Sequence, residues 1–326
     1  MKIWQAERET AADCIEPIRK SQVGIKIQSE APRLTRRLQG FTAGAGQISR
    51  MSYNIQYISL FLLYTILMKN DTFYFMGKCI VFVNQKGGVG KTTSALNIGA
   101  YIALAGKKVL LIDFDSQGNM SSGVGVSKDK PTVYELLAGQ VEAAGAVKKT
   151  SVDNLDAISA SIDLSGIDIE LADQSDREFY LKNAIEPLKA LYDYILIDCP
   201  PSLGLLTLNG LAAADSVLVP MQCEYFALEG ITLLLQTVQK VQKGINPDLK
   251  IGGIFFTMYD SRTRLAQDVV MQVKSYFKDV VFNTIIPRNV RLSEAPSHGL
   301  PICKYDPECV GARSYAKLAE EVIRRG

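Results

Sequence analysis

The sequence predicts an α/β fold, a mostly parallel twisted sheet with helices on both faces. Three features predict it: short apolar runs without polar alternation, stretches of helical period between them, and glycines or acidic residues where the runs end. "CIVFVN" (79–84) is an apolar run that meets a glycine-rich loop, and "TSALNIGAYIALAG" (93–106) has helical spacing and stops at a glycine. "KVLLIDFD" (108–115) reads as a buried strand ending in two aspartates. "YDYILIDCPP" (192–201) and "ADSVLVPM" (214–221) are further buried runs, the second followed by helical "ALEGITLLLQTVQKV" (227–241). "KIGGIFFTMY" (250–259) and "VVFNTIIP" (280–287) continue the strands, and "GARSYAKLAEEVIRR" (311–325) closes the chain as an amphipathic helix. Such sheets bind ligands beyond the carboxyl ends of their strands, where the glycine loop and both acidic clusters fall.

Residues 1–75 are of another kind. They show no clean period, and their apolar run "IQYISLFLLYTILM" (55–68) is shorter than the roughly 20 residues of a membrane span. It starts too far into the chain for a signal peptide, and no small-residue cleavage site follows. Met76 reads as the true start of a single domain over 76–326, with 1–75 a product of upstream translation, a disordered extension or a membrane anchor. The first 75 residues hold 10 Lys/Arg against 6 Asp/Glu, leaving 26 against 28 in the body, so any nucleic-acid binding must come from a local patch. The cysteines, Cys14, Cys79, Cys199, Cys223, Cys303 and Cys309, form no C-x-x-C pair, and His298 is the one histidine. That argues against a zinc site or a disulfide framework and fits a reducing compartment.

"NQKGGVGKTTSALN" (84–97) nearly spells the phosphate-binding pattern G-x-x-x-x-G-K-[ST], with Gln85 where the first glycine belongs and Lys86 as an added charge. Backbone N–H groups of Gly87, Gly88, Val89, Gly90, Lys91, Thr92 and Thr93 can converge on phosphate oxygens at the positive end of the following helix. Lys91 is placed to reach the β- and γ-phosphates, and the Thr92 hydroxyl to ligate Mg²⁺. A plain glycine-rich turn is the alternative, but strand, loop and helix in register favour a P-loop NTPase. Asp198 in "ILIDCPP" ends a buried strand, placed to hold Mg²⁺ through a water, and the two prolines stiffen the exit. Asp113 and Asp115, two apart on one strand, face the same way. Asp115 is the candidate for placing the attacking water and Asp113 for the metal's outer shell; a pair of solvated turn carboxylates is the alternative.

"KGGVGKTT", "DFDSQGN", "LIDCPP" and "IIPRNVRLSEAPSHGLPI" (285–302) together closely resemble the ParA/Soj chromosome-partitioning ATPases of the deviant Walker A group. The resemblance runs from Met76 to the C-terminus and leaves residues 1–75 unmatched. It implies an ATP- and Mg²⁺-dependent switch in which two ATP-bound subunits pack face to face. The signature lysine, here Lys86, then reaches the partner's nucleotide as an arginine finger does elsewhere. It also implies an adenine pocket at Pro287, Arg288 and Asn289, and non-specific DNA binding through Arg262 and Arg291, either of which also reads as an ordinary surface charge. A ParB/Spo0J-like protein is the implied partner and a nucleoid-associated cytoplasmic protein the implied setting, with no membrane expected. Ser116 departs from the proline common in the family and puts the timing of hydrolysis in doubt.

Relatives sharing the loop fit less well. Iron–sulfur members need bridging cysteines, and Cys199 lacks a second ligand. MinD-type division regulators end in a basic, bulky amphipathic helix, whereas this chain ends with Glu320 and Glu321 among few large apolar residues. Tyrosine kinases of this fold carry a tyrosine-rich tail, and only Tyr315 lies in the last twenty residues. A nucleotide-gated DNA-binding scaffold with negligible turnover stays open, although Lys86 and Asp115 together favour hydrolysis. The expectation is a partitioning ATPase for a chromosome or plasmid.

Overall fold

The computed structural model describes residues 77–225 and 227–325; the expectations for residues 1–75 and for a start at Met76 lie outside the described residues. The strands are β1 (Lys78–Phe82), β2 (Val109–Asp113), β3 (Val147–Lys149), β4 (Leu155–Ile158), β5 (Tyr194–Asp198), β6 (Ser216–Gln222) and β7 (Lys250–Thr257). They form one sheet in the order β3-β4-β2-β5-β1-β6-β7, parallel except for the β3 edge. The predicted fold class holds. β3 and β4 are additions to the sequence expectations, too short to show a period of their own.

Every residue of β2 and β5 is buried, because helices cover both faces and leave no polar side to alternate with. Cys79, Val81, Leu110, Ile112, Ile195 and Ile197 point to one face, packed under the helices Leu205–Ala213, Ala227–Gly244 and Arg264–Phe277. Ile80, Phe82, Leu111 and Leu196 point to the other, under the helices Lys91–Leu104 and Val310–Arg325. The helix Arg264–Phe277 is absent from the sequence expectations, although its buried Ala266, Val269 and Val273 follow the helical period.

The expected strand over 280–287 is corrected. This segment runs parallel to β7 and bonds it through the Phe282 and Ile286 N–H groups, but forms only isolated bridges, Ile254 with Val281 and, past the end of β7, Tyr259 with Pro287. Between them the Asn283 and Thr284 N–H groups donate instead to the Glu321 carboxylate of the C-terminal helix, at 2.9 and 3.1 Å. A buried side chain has taken donors that a ladder would need. Arg325 completes the clasp by donating to Glu321 at 3.0 Å and to the Val281 carbonyl at 2.9 Å.

The register positions the site. Phe82 pairs with Asp198, and Asp198 pairs with Asp113, so the loop after β1 and two strand-end carboxylates share one end of the sheet.

Candidate active site

The loop between β1 and the helix Lys91–Leu104 turns through Gly88 (φ +72°) and Gly90 (φ +85°), conformations that glycine adopts without a Cβ clash. Side chains from the neighbouring strands hold its carbonyls. The Thr257 hydroxyl donates to the Val89 carbonyl at 2.7 Å, and Gln222 Nε2 donates to the Gly88 carbonyl at 2.8 Å. The N–H groups of Gly87, Gly88, Val89 and Gly90 have no backbone partner among the described residues. The helix itself has no side-chain N-cap, so its first turn is left for a ligand to satisfy. That is a cradle for phosphate oxygens.

Lys91 lies within this cradle, 7% exposed, with Nζ 3.4 Å from the Lys86 carbonyl. Burial pulls its pKa down, while Asp198 and Asp115 pull the other way. Asp198 is 1% exposed, and neither of its carboxylate oxygens has a well-formed hydrogen bond. Burial first, then the charge of Asp113, push its pKa well above the carboxylate range against the nearby Thr92 hydroxyl and Lys91. An unsatisfied buried carboxylate costs stability unless something cationic completes it. A hydrated Mg²⁺ fits that position, since it takes one or two carboxylates plus phosphate oxygens and water. No group of three or more His, Cys, Asp or Glu among the described residues makes a metal cage, so the phosphates must supply the remaining ligands.

Asp113 and Asp115 diverge from the expected pair on one strand. β2 ends at Asp113, and Asp115 opens a turn in which its Oδ1 accepts from Gln117 N at 3.0 Å and its carbonyl accepts from Gly118 N at 2.8 Å. A side chain that bonds its own backbone two residues on is a turn former, which stops the strand there. Ser116 sits inside this turn. Asp113 Oδ2 accepts from both the N–H and the hydroxyl of Ser121, at 2.7 and 2.6 Å, and Ser121 Oγ accepts in turn from Ala160 N at 3.1 Å. Burial pushes the Asp113 pKa up to about 6 despite the Ser121 bonds.

Lys86 is placed quite differently from Lys91. Its side chain is 54% exposed, and Nζ pairs with Glu224, just beyond β6, at the rim. A second cavity wall rises opposite the loop: Pro287, Arg288 and Asn289 line a space of about 340 Å³ with Gly90, Thr93 and Met258. The three residues expected at an adenine pocket thus line a cavity beside the loop. A larger cavity of about 710 Å³ opens at the far ends of β1, β6 and β7, between Lys78, Asp215 and Lys250, and touches none of these residues.

Arg262 and Arg291 lie outside the cradle with local partners. Arg262 makes a two-pronged pair with Asp260, at 2.8 and 2.6 Å, and Arg291 bonds Glu294 at 2.9 Å and faces Asp306 at 3.4 Å. His298 stacks on Tyr305 with ring centres 4.9 Å apart, a packing role. Gln222, Glu224, Thr257 and Met258 are site residues that the sequence expectations lack. Their signal was position, since all lie at the carboxyl ends of β6 and β7.

Fold and site define a P-loop nucleoside-triphosphate hydrolase whose loop carries two lysines, one buried against the loop and one at the rim. Comparison narrows the class. Residues 77–251 match the AAA domain family. The chain is 68% identical over 250 residues to the chromosome-partitioning ATPase Soj of Treponema pallidum, covering 77% of this chain and 98% of that protein. It is 55% identical over 253 residues to the sporulation initiation inhibitor protein Soj of Bacillus subtilis, covering 77% and 100%. Among solved structures, it resembles cobyrinic acid a,c-diamide synthase of Mycobacterium smegmatis with bound ADP and magnesium (39% identity, TM-score 0.67, covering 76% and 95%). It also resembles the cell division ATPase MinD of Pyrococcus furiosus (29%, TM-score 0.65, covering 77% and 100%). The chain belongs to the ParA/Soj family of chromosome-partitioning ATPases, and it is an ATPase.

Proposed function

We propose that this ATPase is a partition switch: two ATP-bound copies close face to face, bind double-stranded DNA without sequence preference, and separate when a ParB/Spo0J-like partner stimulates hydrolysis. ATP is the nucleotide and Mg²⁺ its counter-ion, and the Thr92 hydroxyl and Asp198 are the residues that would hold the ion. When bound, the ion neutralises charge on the phosphates. Lys91 and the N–H groups of the loop hold the phosphates, and Pro287, Arg288 and Asn289 hold the base. Asp115 orients the attacking water. Asp113 acts from the outer shell through Oδ1, which takes only a long bond from the Asp115 N–H, at 3.4 Å.

The observation that carries the reading is the contrast between the two lysines. Lys91 is buried against its own loop, whereas Lys86 stands half exposed at the rim on Glu224, in position to be presented to another molecule. Release from Glu224 lets it stabilise charge on a second copy's phosphates, so chemistry waits for dimerisation. For DNA, Arg262 and Arg291 must exchange Asp260 and Glu294 for phosphates. Such contacts are individually weak and salt-sensitive, and a dimer doubles them.

One observation favours partition over a MinD-like membrane role. The apolar face of the helix Val310–Arg325, including Ala312, Tyr315 and Leu318, is buried in the core, and the Tyr315 hydroxyl lies 3.0 Å from Ser94 Oγ on the loop helix. Together with the chromosome-partitioning relatives, this supports a nucleoid-bound protein of the cytoplasm.

The test is phosphate release and DNA co-sedimentation by wild type, Lys86→Ala and Asp115→Ala, with and without DNA and a ParB partner. Asp115→Ala is expected to form an ATP-dependent DNA-bound dimer that does not turn over, and Lys86→Ala to bind ATP as an inactive monomer. Equal turnover by a wild-type monomer, or an ATP form indifferent to DNA, would remove the switch. Negligible turnover under every condition would leave a nucleotide-gated scaffold.

A further inference from the structure

The turn that carries Asp115 is held from outside by a lysine. Within the turn, Asp115 Oδ1 accepts from the Gln117 N–H at 3.0 Å, and Gly118, at φ +62°, donates its N–H to the Asp115 carbonyl at 2.8 Å. The Gln117 carbonyl accepts from Lys128 Nζ at 3.0 Å. The same side chain lies over Gly118, where a Cβ would meet Lys128 Cε and Nζ at 2.8 Å and Cδ at 3.1 Å. Glycine thus answers two demands there, the left-handed backbone and the close approach of the lysine. Gln117 is fixed on both sides, its N–H by the Asp115 side chain and its carbonyl by Lys128.

An exposed lysine ordinarily contributes little, because a long side chain gives up rotamer freedom for one bond. Lys128 differs in that its own backbone is anchored. Lys148, on the edge strand β3, donates to the Ser127 carbonyl at 2.8 Å, to the Asp129 carbonyl, and to Ser159 Oγ at 2.7 Å. Ser159 is fully buried just beyond β4. The carbonyls on either side of Lys128 are therefore tied to one ammonium that is itself tied to the sheet. Locally, the Ser127 hydroxyl donates to Asp129 Oδ2 at 2.6 Å and accepts from the Asp129 N–H at 2.9 Å. A brace runs from the sheet edge through Lys148 and Lys128 to the turn of Asp115, and neither lysine lines the cavity beside the phosphate loop.

We propose that Lys128 is a positioning residue for hydrolysis: by holding Gln117 it fixes the turn that aims Asp115 at the attacking water, and so governs the rate of the chemical step and not the binding of nucleotide. The inference rests on the reading of Asp115 as the residue that orients the water, and deepens it. It also gives β3 and β4 a task, since they supply the anchor for Lys148.

The experiment is phosphate release by the full chain with Mg²⁺ and double-stranded DNA over a range of ATP concentrations, for wild type, Lys128→Ala, Lys128→Met, Lys128→Arg and Asp115→Ala, with thermal melting of the same samples. Lys128→Ala is expected to lower kcat about 10-fold while KM for ATP changes by less than about twofold. Lys128→Met, which keeps the apolar cover on Gly118 and loses the donor, should be as slow. Lys128→Arg, which keeps a charged donor of similar reach, should regain most of the rate. Melting points should stay within about 2 °C of wild type, because the residue is exposed. Wild-type turnover by Lys128→Ala overturns the proposal, and so does a Lys128→Met variant as fast as wild type, which would leave packing alone. A raised KM with kcat unchanged also overturns it, by making Lys128 a nucleotide ligand. Wild-type turnover by Asp115→Ala overturns the reading of Asp115 itself, a result seen with Lys128 intact and so distinct from the others.

Discussion

The two ends of the nucleotide site are built on opposite principles. At the phosphate end, charged groups are buried: Lys91, Asp113 and Asp198 are each under a tenth exposed, and Asp198 has no well-formed hydrogen bond for either oxygen. At the proposed base end, Met258, Arg288 and Asn289 are partly exposed, and the charges nearby, on Arg262 and Arg291, are paired with their own neighbours. One end stores an electrostatic demand that a ligand relieves. The other offers a shaped surface and asks for nothing. The contrast separates chemistry from selection: groups that act on charge are held out of water, where their fields are strong, and groups that choose the ligand are left at the rim.

Substitutions at the phosphate end should break turnover while leaving or raising stability, the largest effect of all. Lys91→Ala is expected to lower kcat/KM for ATP by about 10² to 10³, read as phosphate release. Asp198→Asn should lose turnover on a similar scale, yet melt no lower than wild type without nucleotide, because it replaces a carboxyl group whose charged form burial already disfavours. A lower melting point for Asp198→Asn would mean the carboxylate is satisfied by something else and the contrast is false.

Acidity sharpens the same contrast at the next scale. The native Asp113 carboxyl holds its proton up to about pH 6, higher than the unfolded chain does. The native state therefore binds more protons between about pH 4 and 6, and Asp113's contribution to stability falls as pH rises through that window. Denaturant titrations without nucleotide should show the stability of Asp113→Asn relative to wild type rising from pH 5 to pH 7. A flat difference would show that Asp113 titrates as in the unfolded chain.

The base end and the rim should respond more gently. Asn289→Ala removes the acceptor of the Arg291 N–H, 2.9 Å away, so it should raise KM for ATP a few-fold and cost about 1 kcal/mol or less of stability. Glu224→Gln, which frees Lys86 from its exposed pair, should alter stability by less than about 1 kcal/mol. A loss well beyond that in chemical denaturation would show that the pair is structural.

The phosphate end was largely legible in the sequence, because its chemistry needs contiguous residues. A glycine turn, a lysine and a threonine must sit in a row, and a carboxylate must end a buried strand. The base end gathers residues from the ends of β6 and β7 and from 286–289, and no local pattern announces that meeting. The family resemblance, rather than any period, pointed to Pro287 and its neighbours. The partner of Lys86 lies 138 residues away, a separation that only the register of β1 beside β6 closes. The pairing of Asp113 and Asp115 on one strand failed for a local reason, a turn closed by the Asp115 side chain, and the strand over 280–287 failed for a distant one, the Glu321 carboxylate.

That carboxylate bears on more than secondary structure. β7 is the last strand of the sheet, and the interrupted segment 281–287 lies along its open side. Exposed strand edges are templates for intermolecular pairing, and short, irregular or covered edges blunt them. By holding two N–H groups away from any ladder, Glu321 keeps the border of the sheet from being extended by another chain. On the proposed partition reading, in which copies meet at high local density on DNA, a closed border would keep self-association reversible and answerable to nucleotide alone.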